Sequence, residues 1–394
     1  MKPSVLMFCP RFRPLVGGAE RQAEKLATAL VEAGCHVAIL TPRLDPNSPA
    51  MEEPNGVTIE RFPFTDLSRH YHVPGVALLN IPYILWQIAQ AIRPRLKGAH
   101  VLHCHIAELQ TAGAALAGCM AGVPVLCKVA TAGERSDLGK IENTGSSGWL
   151  VAWLTRAVIG TWVATTAAVV DALVQAGVKP GRIAQIPNGV ELPTELSTRS
   201  FPYRVSHFLY LGRLSENSER DIPTLVRAFD RVATKHADVE LAIVGDGDLF
   251  EKTRRLAESF AARNRIHMPG FDQPEKWLAW ADCFVLPSRR EGLSNALLEA
   301  MAVGLPCIAN DIPPNREVLD DGEAGLLVPV ENCNALEAAM RDMVEDNGKA
   351  RNFALRARER VEQCYSINST AAQYVNLYKS LVARRGKGFL FLNE

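Results

Sequence analysis

Two carboxylates with seven residues between them, Glu291 and Glu299, lie in the run of this chain best equipped for chemistry, Ser288 to Pro306. The run crosses from a short apolar segment, Asp282–Pro287, into a segment rich in alanine and leucine. The first reads as a buried parallel strand and the second as a helix from Leu293 to Val303, stopped by Gly304 and Pro306. Glu291 then sits on a loop at the carboxyl end of a strand, and Glu299 about two turns down the helix on roughly the same face. Backbone N–H groups of Gly292, Leu293, Ser294 and Asn295 would point into the same space and favour an anion. One carboxylate for sugar hydroxyls, amides for phosphates and a second carboxylate for a ribose describe a nucleotide-sugar site. The competing reading makes both glutamates solvated residues of an ordinary α/β unit. The proline and serine ending the strand, and the glycine after Glu291, weigh against it.

Two further loops have the right composition to join such a site. An early strand leads into Gly17-Gly18-Ala-Glu20 and a helix, and paired glycines there allow close backbone approach to a diphosphate. The spacing is neither that of a dinucleotide-binding loop nor that of a P-loop. Gly212 and Arg213 follow another strand, and Arg220 precedes the next helix. Arginines at a strand end could neutralise a diphosphate; otherwise they are surface residues.

Metal-binding candidates are weaker. Asp246 and Asp248 flank Gly247 between a strand and a helix, where aspartates serve as turn formers and caps. His100, His103 and His105 cluster on one strand without carboxylate or cysteine partners at ligand spacing beyond Glu108. No metal and no other cofactor is expected.

Elements that must position these residues alternate as strand and helix along both halves, the pattern of doubly wound parallel sheets. Strands are expected at Ser4–Phe8, His36–Thr41, Val57–Phe62, His100–His105 and Pro124–Val129, then at Phe208–Leu211, Val239–Val244 and Arg265–Met268. Helices are expected at Glu20–Ala33, near 75–93, 108–121 and 144–160, then at Ile222–Lys235, Leu249–Ala262, 334–346 and 348–363. A chain of 394 residues suits two domains. These are read as 1–195 and 204–365, joined through a polar, proline-containing linker, with a last amphipathic helix at 366–385.

Lys+Arg and Asp+Glu both number 43, so no net field draws nucleic acid. Nine cysteines form no CxxC pair, and several fall in apparent buried strands, as reduced thiols of a cytosolic protein do. Met1-Lys-Pro leads straight into a strand, so no signal peptide is expected, and no uncharged apolar stretch is long enough to span a membrane. Trp149, Trp153 and Arg156 recur at helical spacing. Trp86 is followed by Arg93, Arg95 and Lys97. Either segment could rest on the anionic inner face of a membrane, but core packing under a sandwiched sheet is the simpler expectation.

Taken together, the 288–306 run, the Gly17-Gly18 loop and the Arg213 strand end resemble the retaining glycosyltransferases of the GT-B fold, family 4 (group 1), over nearly the whole chain. The resemblance implies two Rossmann-like domains with parallel sheets facing across a cleft: an amino-terminal acceptor-side domain, a carboxy-terminal donor domain, and a closing helix that packs back on the first. It implies a hexosyl transfer from a UDP- or GDP-sugar to a saccharide or lipid-linked acceptor, in polysaccharide or glycolipid biosynthesis and without metal. Gly17 and Gly18 would lie over the donor diphosphate, with Gly212, Arg213 and Arg220 around it. Arg220 stands where the family has lysine, and a guanidinium is bulkier and less flexible than an ammonium. Glu291 would meet the sugar and Glu299 the ribose. Ala130 stands where the family has a histidine near the sugar, leaving His105, Lys128 and Thr131 as sugar or acceptor contacts. An epimerase of the same fold, or a catalytically silent sugar-binding subunit, are the alternatives.

Overall fold

Strand β1 (Ser4–Phe8) alternates buried residues on both of its faces. Val5 and Met7 join one core, Leu6 and Phe8 another, as a central strand of a parallel sheet requires. The computed structural model describes residues 2–14, 17–67, 76–131, 137–143, 148–193, 204–216 and 219–385. Of the linker expected over Pro193–Tyr203, residues 194–203 lie outside them, as do residues 144–147 of an expected helix. The chain divides into two compact units, Met1–Gly189 with Ile367–Glu394, and Val190–Ser366. The first division falls ahead of the expected 195 because Val190 pairs with Ser366 and donates its N–H to the Tyr365 carbonyl (2.8 Å).

In the first unit β1 is followed by α1 (Gly18–Glu32), β2 (His36–Pro42), β3 (Met51–Glu52), β4 (Thr58–Phe62) and α2 (Val76–Ile92). Then come β5 (Val101–Cys104), α3 (Leu109–Met120), β6 (Val125–Val129), α4 (Asp137–Glu142), α5 (Gly148–Val158), β7 (Thr161–Ala164), α6 (Ala167–Gln175) and β8 (Ile183–Gln185). The sheet order is β3-β4-β2-β1-β5-β6-β7-β8, parallel throughout except where β3 pairs antiparallel with β4. Strand order reverses between β1 and β5, the place where open α/β sheets bind ligands.

The second unit runs β9 (His207–Leu211), α7 (Ile222–Lys235), β10 (Glu240–Val244), α8 (Phe250–Glu258), β11 (Ile266–Gly270), α9 (Pro274–Trp280) and β12 (Cys283–Leu286). It continues with α10 (Asn295–Ala302), β13 (Cys307–Asn310), α11 (Pro313–Val318), β14 (Leu326–Val328), α12 (Cys333–Glu345) and α13 (Asn347–Cys364). Its all-parallel sheet has the order β11-β10-β9-β12-β13-β14, with the reversal between β9 and β12. Phe208, Tyr210 and Ile243 pack under α7 and α12, while Leu209, Val244 and Phe284 pack under α10 and α13. Both faces of the central strands are therefore covered, which leaves their ends for a ligand.

Helix α14 (Ile367–Arg385) returns to the first unit. Its Ile367, Ala371, Tyr374, Tyr378 and Leu381 recur at helical spacing and bury against the sheet face that α1 also covers.

Candidate functional site

Two loops meet at the strand-order reversal of the second unit. The loop after β9 carries Gly212, Arg213 and Arg220; the loop after β12 carries Ser288 to Ser294. They run side by side as a short antiparallel bridge between Arg220 and Ser288. Asp221 donates its N–H to the Pro287 carbonyl (2.7 Å), and Arg289 donates to that of Glu219 (2.9 Å). This backbone pairing brings together side chains about 70 residues apart in sequence. Arg220 Nη1 is ion-paired with Glu291 Oε1 and also donates to Ser288 Oγ. Ser288 in turn donates to Glu291 Oε1 (3.0 Å).

The Arg220 and Glu291 side chains are 17% and 11% exposed, so the pair is largely desolvated yet open at one edge. Burial lowers the pKa of Arg220, with the neighbouring Tyr210 opposing, but a guanidinium keeps its charge. Burial pushes the Tyr210 hydroxyl up to about 12, with Arg220 opposing. Arg213 lies on the same loop with its side chain exposed. A cation that carries charge and a carboxylate that accepts hydroxyl hydrogens thus stand in direct contact at the mouth of the sheet.

The helix beyond Glu291 starts later than the sequence suggested. Ser294 is the N-cap of α10 and its hydroxyl accepts from the Leu297 N–H (3.3 Å), so the first helical residue is Asn295 and not Leu293. Glu299 consequently lies one turn below Asn295, not two turns into the helix, and is half-buried. Gly292 and Leu293 are buried in the loop.

Asp246 and Asp248 belong to a tight turn after β10. Gly245 and Gly247 have φ of 146° and 151°, and a β-carbon there would meet the Gly212 and Leu214 carbonyls at 1.9 and 2.2 Å. Asp246 Oδ1 accepts from the Gly247 N–H (2.7 Å), and the Asp246 carbonyl accepts from Leu214 (3.0 Å). The turn therefore supports the Gly212–Leu214 backbone from below. Among the described residues no group of three His, Cys, Asp or Glu side chains could hold a metal ion.

In the first unit the loops after β1 and β5 flank the corresponding reversal. Gly17 caps α1 and Gly18 is its first residue. Glu20 folds back over this end, where a Gly17 β-carbon would meet its Oε2 at 2.2 Å. His105 and Lys128, expected as sugar or acceptor contacts, are both buried and face the helices α1 and α14, not solvent. The cause is register. Lys128 pairs with Val163 and His103 with Met7, and these partners belong to the core beneath α1 and α14. His105 hydrogen-bonds to the Ala19 backbone; burial first, then Lys128 and His103, hold its pKa well below the usual value. His103 Nδ1 is 2.7 Å from the Tyr378 hydroxyl, and its ring stacks on Tyr374 with centroids 5.1 Å apart. Burial, then Lys128, takes His103 down to about 3, and burial takes Lys128 down to about 7, with Cys9 opposing. His100 accepts the Ser4 N–H instead (2.8 Å). Thr131, with Ala130 before it, is half-buried just past the end of β6.

Sequence reasoning left Ser288, Tyr210, Tyr374 and Tyr378 without roles. Ser288 carried a signal in its position three residues before Glu291; the tyrosines carried none, since aromatic residues at core spacing look alike. Core packing also does not account for the tryptophans. Trp162 is fully buried, but Trp86, Trp149 and Trp153 are 58%, 64% and 58% exposed. Their helices α2 and α5 both pack against α3.

Family models match both units: "Glycosyl transferase 4-like domain" over residues 17–189 and "Glycosyl transferases group 1" over 206–346. Phosphatidyl-myo-inositol mannosyltransferase of Mycolicibacterium smegmatis is 32% identical over 203 residues, 50% of this chain and 52% of that protein. N-acetyl-alpha-D-glucosaminyl L-malate synthase of Bacillus anthracis is 30% identical over 158 residues, 40% of this chain and 41% of that protein. The chain thus spans about half the length of the curated relatives it matches, or less. Among solved structures, sucrose-phosphate synthase from Thermosynechococcus elongatus superposes with a TM-score of 0.75 at 22% identity, covering 97% of this chain and all of that one (100%). HepE from Anabaena in complex with UDP-glucose superposes at 0.72 and 16% identity, covering 96% and 99%.

Proposed function

The chain belongs to the group 1 glycosyltransferases, family 4, of the GT-B fold, and we propose that it moves a hexosyl group from a nucleotide-diphosphate sugar to a saccharide or lipid-linked acceptor with retention at the anomeric carbon. The observation that carries this reading is the contact of Arg220 with Glu291 and Ser288 at the strand-order reversal of the second unit. Arg213 and Arg220 take the charge of the departing diphosphate, a role for which a guanidinium offers paired donors. Glu291 accepts from hydroxyls of the transferred sugar, and Glu299 from the ribose. The loop from Gly292 to Asn295 lines the diphosphate.

In this mechanism the bond from the anomeric carbon to the diphosphate oxygen breaks as the bond to the acceptor oxygen forms on the same face. The acceptor proton passes to the departing diphosphate oxygen, so no deprotonated protein nucleophile is needed. Charge is handled by arginines and backbone dipoles, without a divalent metal. His105 and Lys128 are buried in the first unit, which leaves Thr131 of the three to meet sugar or acceptor.

Relatives with lipid acceptors in their names support a glycolipid or polysaccharide pathway, and HepE's UDP-glucose supports a UDP-sugar among the donors to try. No helix among the described residues is long and apolar enough to cross a membrane. Exposed Trp86, Trp149 and Trp153 instead suit a peripheral seat on the cytoplasmic face, where aromatic rings bury at the headgroup level.

A thermal-shift screen of UDP- and GDP-hexoses identifies the donor, since a ligand that binds only the folded state raises its melting temperature. With that donor, Glu291→Gln should keep bare nucleoside-diphosphate affinity and lose about 10²-fold or more in turnover, as roughly 2.7 kcal/mol of transition-state stabilisation requires. The NMR coupling constant of the product should show the donor's anomeric configuration. Inversion would overturn the retaining mechanism, an isomerised sugar formed without acceptor would indicate an epimerase, and no turnover with any donor would indicate a silent subunit.

A further inference from the structure

The two loops at the second unit's reversal oppose each other charge by charge. One presents Glu219-Arg220-Asp221 and the other Arg289-Arg290-Glu291. Arg290 Nε lies 3.2 Å from Glu219 Oε2, Arg289 Nη2 lies 3.4 Å from Asp221 Oδ1, and Arg220 is ion-paired with Glu291. Each of the six charged residues thus finds an opposite charge on the other loop, and the backbone bridge at Arg220 and Ser288 fixes their register. Asp221 is itself anchored, buried as the N-cap of α7 and accepting from the Thr224 N–H (3.3 Å). Glu219 holds a left-handed backbone, φ 50°, which a side-chain-bearing residue keeps only where its surroundings impose it.

We propose that this is a charge ladder whose outer rungs, Glu219–Arg290 and Asp221–Arg289, hold Arg220 and Glu291 at a fixed offset for transfer. Arg290 and Glu219 are positioning residues that act through the middle rung. The inference rests on the roles given above to Arg220 and Glu291, and adds that the two arginines between Ser288 and Glu291 are part of the machinery. The ladder lets Arg220 exchange Glu291 for a diphosphate while the loops stay in register, because two other rungs and the backbone bridge remain. Preorganisation of this kind sets rate more than stability. Arg290 is 40% exposed, and an ion pair with one partner half open to water stabilises a fold little.

A charge swap tests it. Arg290→Glu and Glu219→Arg alone should each lower kcat about tenfold or more, with the Kd for bare UDP or GDP changed less than about threefold. Combined in one chain they should restore kcat to within about threefold of the wild type, since the rung is rebuilt with its charges exchanged. Arg290→Lys should retain most of the rate. Amide exchange read by mass spectrometry gives a second measurement that needs no turnover. The N–H groups of Asp221 and Arg289, held by Pro287 and Glu219, should lose protection in each single variant and regain it in the swap. Wild-type kcat in the singles, or a swap no better than its worse parent, would overturn the ladder while the transferase reading stands. A wild type inactive with every donor would overturn the transferase reading, and the exchange data would then decide the ladder alone: unchanged protection in the singles sinks it.

Discussion

The Tyr210 hydroxyl lies beneath Gly212, where a β-carbon would stand 2.7 Å from it and 3.1 Å from the ring carbon bearing it. The same hydroxyl donates to the Arg213 carbonyl (3.4 Å). A buried aromatic ring of β9 therefore sets the height of the backbone that carries Arg213. Gly212 leaves room for that ring, and Gly245 in the turn after β10 leaves room for the Gly212 carbonyl. The loop proposed to meet a diphosphate is held from two sides before any ligand arrives.

Gly212→Ala should accordingly destabilise the second unit by about 1–3 kcal/mol, the usual range for overpacking a core that cannot yield. Adding Tyr210→Phe removes the nearest atom and should recover part of that loss, although the ring carbon stays close. Urea denaturation of the two single variants and the double one checks this. Strictly additive losses would mean that Gly212 and Tyr210 do not press on each other.

Glu299 is proposed for the ribose, and loss of a charge-assisted hydrogen bond weakens binding by roughly 1.5–3 kcal/mol. Glu299→Ala should raise the Kd for the donor nucleotide about 10- to 100-fold while leaving inorganic pyrophosphate affinity near that of the wild type. Calorimetry with both ligands separates the two effects. Equal nucleotide affinity in variant and wild type would remove Glu299 from the site.

The alternation of strands and helices was legible because each central strand is buried on both faces, and a run such as Ser4–Phe8 has few other ways to read. Glu291 was legible from its place after a strand ending in proline. The start of α10 was missed by two residues because Ser294, a good helix-start residue inside the run, is the cap itself. The burial of His105 and Lys128 was not legible. A polar residue near a strand end looks ligand-facing until register decides which sheet face it joins and α14, over 200 residues later, covers that face. The rung between Glu219 and Arg290 was equally hidden, since it arises from antiparallel approach of two loops remote in sequence. Exposure of Trp149 and Trp153 went the other way: helical spacing showed that they share a face but not that the face is exposed.

Metal independence is the expected outcome if Arg213, Arg220 and backbone amides take the charge as proposed, with Asp246 and Asp248 in a turn. Transfer at saturating donor should proceed at the same rate after treatment with EDTA and removal of the chelate. A loss restored by magnesium or manganese would return the aspartates to the site and require a different account of the leaving group.

Lys128 offers a test that needs no substrate. It is buried in β6 with no carboxylate pairing among the described residues, and burial takes its pKa from 10.5 down to about 7. The unfolded chain holds this proton to about pH 10.5 and the folded chain only to about pH 7. Between the two values the unfolded state binds more protons, so this residue makes stability rise with pH across that window. At pH 7 and below, the full penalty of burying an ammonium is present. Lys128→Met keeps the volume and removes the charge. It should raise the melting temperature at pH 7 by on the order of 5 °C or more, since each pKa unit is about 1.4 kcal/mol. The difference from the wild type should shrink steadily toward pH 10, where the wild-type amine is neutral in the fold and carries little penalty. Scanning calorimetry at several pH values between 7 and 10 reads both. A constant difference, or a lower melting temperature for the variant at every pH, would show that Lys128 keeps its proton and is held by a partner inside the fold.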